Sequence, residues 1–100
     1  MDGQLRALAD PRRRKILQLV RDRELAAGDI AARFEVTRPA ISQHLTVLKE
    51  AGLITERRDG TRRLYQARPE GLGPIQEFLD EFWAGGLARL KEAIERRERS

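Results

Sequence analysis

Asp59-Gly60, set between two short runs that mix apolar and polar residues, restricts the fold of this chain more than any other feature. Asp-Gly is a favoured two-residue hairpin loop, because a type I′ turn needs φ above zero at both central positions. Leu53 to Arg58 and Thr61 to Ala67 are therefore predicted to pair as antiparallel strands. Most of the remaining chain reads as helix, so a helical body has to accommodate one hairpin. At 100 residues that body is a single small domain with one core.

Asp10-Pro11 is a helix start, an N-cap followed by a proline that gives up no needed hydrogen bond. The helix is predicted to run to about Arg23 with Ile16, Leu17 and Val20 toward the core, and Leu5 and Leu8, three apart, suggest a shorter helix before it. Gly28 to Phe34 carries Ile30, Ala31 and Phe34 at helical spacing. Thr37 caps the next helix. From Arg38 to Ala51, Ile41, Leu45 and Leu48 form one apolar stripe, with Pro39, Ser42, Gln43 and Thr46 opposite, and Gly52 supplies a left-handed stop. Two helices joined by a short connection make a helix-turn-helix over residues 28–51, and the hairpin at 53–67 turns it into a winged helix, mainly α with a small β-hairpin.

A last helix is predicted from Pro74 to about Arg99, reaching about 40 Å if unbroken. Ile75, Phe78, Leu79, Phe82, Trp83, Leu87, Leu90 and Ile94 cover nearly half its circumference, more than so small a body can bury. With Leu5 and Leu8, that stripe is expected to meet a second copy, so residues 1–9 and 74–99 are the expected dimerisation helices of a homodimer. Gly85-Gly86 is a point where the helix can kink, break or be crossed closely.

Charge narrows the partner. The chain carries a net +4. Residues 1–68 hold fifteen Lys and Arg against nine Asp and Glu, a balance of +6, while residues 69–100 hold five against seven, a balance of −2. A basic body with a mildly acidic C-terminal segment fits one part meeting a polyanion and another meeting protein. There is no cysteine, which removes disulfides, thiolate nucleophiles and Cys-based metal sites. No apolar run approaches the ~20 residues of a membrane span and no signal-peptide core follows Met1, so a cytoplasmic location is expected. Phosphate loops, nucleophile elbows and zinc spacings are missing, and a single histidine builds no triad. Glu77, Asp80 and Glu81 read as a solvated helix face. Neither an enzyme nor a cofactor is expected.

Thr37, Arg38, Ser42 and Gln43 open the second helix of the helix-turn-helix, where hydroxyl, guanidinium and amide groups can reach base edges and phosphates; the alternative is a solvated polar face. Pro39 and Thr46 share that face, and His44, at the edge of the apolar stripe, is either structural or phosphate-contacting. On the wing, Arg62 and Arg63, which follow the turn, are the preferred DNA contacts, ahead of Arg57 and Arg58. Arg12, Arg13, Arg14 and Lys15 oppose the dipole of the helix they start, which suggests solvation or internal ion pairs. Double-stranded DNA is the expected partner. The rival is a winged helix whose basic face docks an acidic protein.

Three phrases make the chain resemble the ArsR/SmtB family of bacterial winged-helix repressors: Ala9-Asp10-Pro11-Arg12-Arg13-Arg14-Lys15-Ile16-Leu17, Ala27-Gly28-Asp29-Ile30-Ala31-Ala32-Arg33-Phe34, and Arg38-Pro39-Ala40-Ile41-Ser42-Gln43-His44-Leu45 with Leu48-Lys49-Glu50-Ala51-Gly52-Leu53-Ile54. Ala27-Gly28-Asp29-Ile30 and Pro39-Ala40-Ile41-Ser42 look especially like the SdpR-type autorepressors. The resemblance implies a homodimer that binds an imperfect palindromic operator and releases it on a signal. Metal-sensing relatives carry Glu-Leu-Cys-x-Cys-Asp-Leu, whereas here Glu24-Leu25 is followed by Ala26-Ala27-Gly28-Asp29-Ile30, and the C-terminal helix has no histidine for the family's second metal site. No metal response is therefore expected, and the effector is left open.

Overall fold

The computed structural model describes residues 1–99, with every side chain among them except that of Leu87, so Leu87 of the expected stripe lies outside the described side chains. Five helices and three strands follow one another: α1 (Asp2–Leu8), α2 (Pro11–Leu19), β1 (Leu25–Ala26), α3 (Ala27–Ala31), α4 (Arg38–Glu50), β2 (Ile54–Asp59), β3 (Arg62–Ala67), a 3-10 turn (Pro69–Leu72) and α5 (Gly73–Arg99). The strands form one antiparallel sheet in the order β1-β3-β2. This is the expected winged helix-turn-helix, mainly α with a small sheet.

The core lies where the helical body meets the root of the hairpin. Ile16 and Val20 of α2, Ile30 of α3 and Ile41, Leu45 and Leu48 of α4 are buried together with Leu53, Ile54 and Tyr65. Asp10 caps α2 as its sequence predicts, accepting a hydrogen bond from the Arg12 backbone N–H at 2.8 Å. Gly52, at φ 74°, ends α4 in the left-handed region.

Three expectations need correction, and the open question at Gly85-Gly86 is answered. Helix α2 stops at Leu19 rather than near Arg23, because Val20 leaves helical geometry and its carbonyl accepts from the Ala67 N–H at 2.9 Å, a partner in β3. Two residues, Leu25 and Ala26, add a third strand on the free edge of β3. The hairpin loop is Gly60-Thr61 rather than Asp59-Gly60, since Asp59 pairs with Arg62; only Gly60, at φ 64°, needs a positive φ, as the first central position of a type II′ turn does. Helix α5 runs unbroken through Gly85-Gly86, and a Cβ built at Gly85 would meet nothing within 4 Å. Ahead of it, the 3-10 turn brings buried Gly71 so close to the Gly52 carbonyl that a Cβ at Gly71 would overlap its oxygen.

Candidate nucleic-acid interface

Helix α4 is held by its apolar stripe and capped by Thr37, whose Oγ1 accepts from the Ala40 N–H at 3.3 Å. Burial of Ile41, Leu45 and Leu48 fixes the rotation of the helix, which leaves Arg38, Pro39, Ser42, Gln43 and Thr46 exposed. The Thr46 hydroxyl donates to the Ser42 carbonyl at 3.0 Å. Gln43, by contrast, makes no hydrogen bond with the rest of the protein among those described, so its amide is available on an open surface.

His44 is placed differently from its neighbours. It is half-buried, with its Nδ1 3.4 Å from Nη1 of Arg13 on α2. That arginine is a junction. Its Nε donates to the Ala7 carbonyl at 2.7 Å and its Nη2 to the Arg6 carbonyl at 2.9 Å, while Arg14 Nη1 donates to the Leu8 carbonyl. The basic run thus serves the C-terminal carbonyls of α1, where cations complement the helix dipole. Desolvation works against the charged form of Asp10, but the Arg12 N–H bond and the nearby His44 and Arg13 outweigh it and hold the carboxyl below its ordinary value.

The hairpin register sorts the wing arginines onto two faces. Arg58 and Arg63 are directly opposite each other and share a face with Glu56 and Tyr65, whereas Arg57 and Arg62 share the other with Leu64. Arg57 grips Glu24 through two hydrogen bonds, at 2.9 and 3.0 Å. That bond lowers the Glu24 pKa against its partial desolvation. Arg62 meets Asp29 of α3 at 3.1 Å, and Arg63 approaches Glu56 at 3.6 Å, an acid it shares with Lys49 at 3.1 Å. Among the described residues, Arg58 is the wing arginine with no acidic partner. Burial, followed by the Glu56 charge, raises the pKa of Tyr65 beneath this cluster.

The sequence reading therefore identified the exposed face of α4 and the wing. It missed Glu24, Asp29, Glu56 and the junction at Arg13. Nothing local signals the pairs Glu24–Arg57 and Asp29–Arg62, each 33 positions apart in the chain.

Arg38, Ser42, Thr61, Arg62, Arg63 and Asp29 surround a basin of about 450 Å³ between α3, the start of α4 and the wing. It is open, and Ala26, Ala27 and Tyr65 line it along with three guanidinium groups. A basin of this kind suits an extended polyanion running across the surface.

A second surface is apolar. Phe78, Leu79, Phe82, Trp83, Leu90 and Ile94 of α5 are between 44% and 64% exposed, and Leu5 of α1 is 47% exposed. Phe78 stacks on Phe82 at 6.2 Å, and Trp83 meets Phe82 edge-on at 5.3 Å. Leu8 instead packs partly against the core. Among the described residues, no helix is long and apolar enough to cross a membrane.

The comparisons with known proteins agree with this architecture. Residues 10–56, from the cap of α2 into β2, match the family described as bacterial regulatory protein, arsR family. The chain is 44% identical to the HTH-type transcriptional regulator Rv2034 of Mycobacterium tuberculosis, across 94% of this chain and 88% of that protein. It is 45% identical to the transcriptional repressor SdpR of Bacillus subtilis, across 60% of this chain and 67% of the other. A crystal structure of a possible transcriptional regulator for arsenical resistance superposes with a TM-score of 0.73 at 44% identity, covering 90% of this chain and 94% of its own. The chain thus belongs to the arsR family of bacterial regulatory proteins, and it is a DNA-binding transcriptional regulator of the winged helix-turn-helix type rather than an enzyme.

Proposed function

We propose that the protein is a homodimeric, cytoplasmic repressor that binds an imperfect palindromic operator, its own promoter among the targets, and that it answers to no metal ion. The observation that carries the reading is the exposed face of α4, where Ser42 and Gln43 stand free beside a basic wing. In each protomer α4 enters a major groove, Gln43 and Ser42 read base edges, Thr37 and Arg38 hold phosphates, and the wing follows the backbone. The exposed α5 stripe with Leu5 supports pairing of two copies through α1 and α5, because so much contiguous apolar surface is unusual on a monomer. Similarity to the transcriptional repressor SdpR supports repression.

The donor set supports independence from metals. The sequence has no cysteine, and its one imidazole has Nδ1 turned toward a cation, Arg13, rather than toward further ligands. Footprinting on the promoter of its own gene tests the reading, alongside sedimentation at micromolar concentration. Two protected half-sites about one helical turn, ~34 Å, apart and a dimer in solution are expected. A monomer, or uniform protection without a preferred site, would refute it.

A further inference from the structure

Three of the four wing arginines, Arg57, Arg62 and Arg63, are already paired with acids. Arg62 and Asp29 are both more than half exposed, yet their charged ends meet at 3.1 Å across the mouth of the basin that Arg38, Ser42 and Arg63 also border. An exposed pair of this kind is worth little, typically under ~1 kcal/mol, and gives way readily to a better partner. A phosphodiester oxygen entering the basin is such a partner. The basin offers it the guanidinium groups of Arg38 and Arg63 beside that of Arg62, whereas Asp29, among the described contacts, engages Arg62 alone.

We propose that this basin is the seat of one DNA backbone phosphate in each protomer, and that Asp29 is its resident counter-anion: Arg62 leaves the Asp29 carboxylate for the phosphate on binding and returns to it on release. The proposal rests on the DNA-binding reading above and adds to it the site and a cost built into every encounter. The cost is the same whatever the sequence, because phosphates carry none. Asp29 therefore lowers affinity without altering specificity, and keeps a regulator with 20 Lys and Arg residues from adhering to any duplex it meets.

The test is a double-mutant cycle on the full chain with two probes, a random 30-base-pair duplex and the footprinted operator, across a salt series. Asp29→Asn keeps the shape of an exposed side chain and removes its charge. If the pair is worth a twofold to fivefold factor per protomer, a dimer engaging both seats should gain about fourfold to twenty-five-fold, equally on both probes. In the Arg62→Ala background the same substitution should gain at most a small part of that. Inorganic phosphate, at ionic strength matched with chloride, should leave the wild-type complex intact.

A full Asp29→Asn gain that persists without Arg62 would show that Asp29 acts only as a bulk negative charge and would overturn the exchange. Absence of any gain would overturn it as well. Selective release by inorganic phosphate would assign the seat to a small phosphorylated ligand instead of the DNA backbone. Failure of the wild type to bind either duplex would overturn the DNA-binding reading itself, a result distinct from the other three.

Discussion

Truncating Arg13 to alanine should detach α1 from the body, and the size of the effect follows from what the guanidinium touches. The bond from Nε to the Ala7 carbonyl, 2.7 Å long and partly buried, joins a charged donor to a carbonyl at the end of a helix. Bonds to charged groups contribute about 1.5 to 3 kcal/mol when shielded. The bond from Nη2 to the Arg6 carbonyl is exposed and should add about 0.5 kcal/mol once discounted for solvent. The 3.8 Å approach to Asp10 adds little. Arg13→Ala should therefore cost about 2 to 3.5 kcal/mol, equivalent to roughly 10 to 25 °C in Tm for a domain of this size. Arg14→Ala, which removes one bond from an exposed side chain, should cost less than about 1 kcal/mol.

Urea and thermal unfolding at one fixed protomer concentration would measure this, since association makes the midpoint concentration-dependent. The denaturant midpoint should fall with the slope unchanged. Lysine at position 13 should restore less than half of the loss, because an ammonium cannot span two carbonyls with a planar fork. If α1 helps to join two copies, the alanine variant should also dissociate at higher protomer concentration than the wild type. An Arg13→Ala variant within 0.5 kcal/mol of wild type, or full rescue by lysine, would refute the view that forked hydrogen bonding anchors α1.

Four further outcomes are expected. Gln43→Ala should cost roughly 1 to 3 kcal/mol on the operator and little on random DNA in a binding titration, as an amide reading a base edge would; equal losses on both would reduce Gln43 to a positioning role. Gly71→Ala should destabilise by about 2 kcal/mol in urea titrations, because the new methyl meets backbone at Gly52 that cannot rotate away; a neutral result would mean that the 3-10 turn shifts freely. Asp10 and Glu24 both titrate below their ordinary values of 3.8 and 4.5, so the stability they supply is complete above those values and drains away as pH falls below them. Acid titration of Asp10→Asn and Glu24→Gln should accordingly show a shallower decline, and a steeper one would contradict the assigned partners. Zinc, cadmium and arsenite at micromolar free concentration should leave the operator complex intact in a fluorescence titration, and chelator-reversible release by any of them would expose a missed site.

The parts of the fold that could be read directly were those with local causes. The Asp10 and Thr37 caps and the Gly52 stop all act within a turn of themselves, and each lies where the sequence placed it. The end of α2 could not be read in this way. Its terminating partner is the Ala67 N–H, in a strand that forms much later in the chain. Strand β1 is two residues long and has no hairpin partner of its own, so only the open edge of β3 makes it a strand. The hairpin loop shows a different limit. A loop at Asp59-Gly60 and one at Gly60-Thr61 differ by two in register, so both bury Ile54 and Tyr65 on the same face and the apolar pattern does not choose between them. Backbone strain does: the observed loop asks for a positive φ only at glycine, whereas the alternative asks for one at Asp59 too.

The functional surface divides along the same line. Which side of α4 is exposed follows from three buried side chains at helical spacing, a relation the sequence carries openly. Which arginines are free does not, because ion pairs join residues that only the assembled sheet and helices bring together. Glu24 ends the loop before β1 and Asp29 lies in α3, and both come beside the wing because β1 pairs with β3. The edge strand that could not be foreseen is thus what carries two acids to the basic hairpin. Net charge predicts that this protein is drawn to a polyanion, but the same +4 could be spread over four bare wing arginines or, as here, leave Arg58 as the one without an acid among the described residues. The second arrangement holds most of the wing's positive charge in ion pairs, and under the proposed exchange a phosphate must first break such a pair. On the proposed exchange, affinity depends on acids as much as on bases, so substitutions at Glu24, Asp29 and Glu56 should move it upward, where those at Arg62 and Arg63 should move it down.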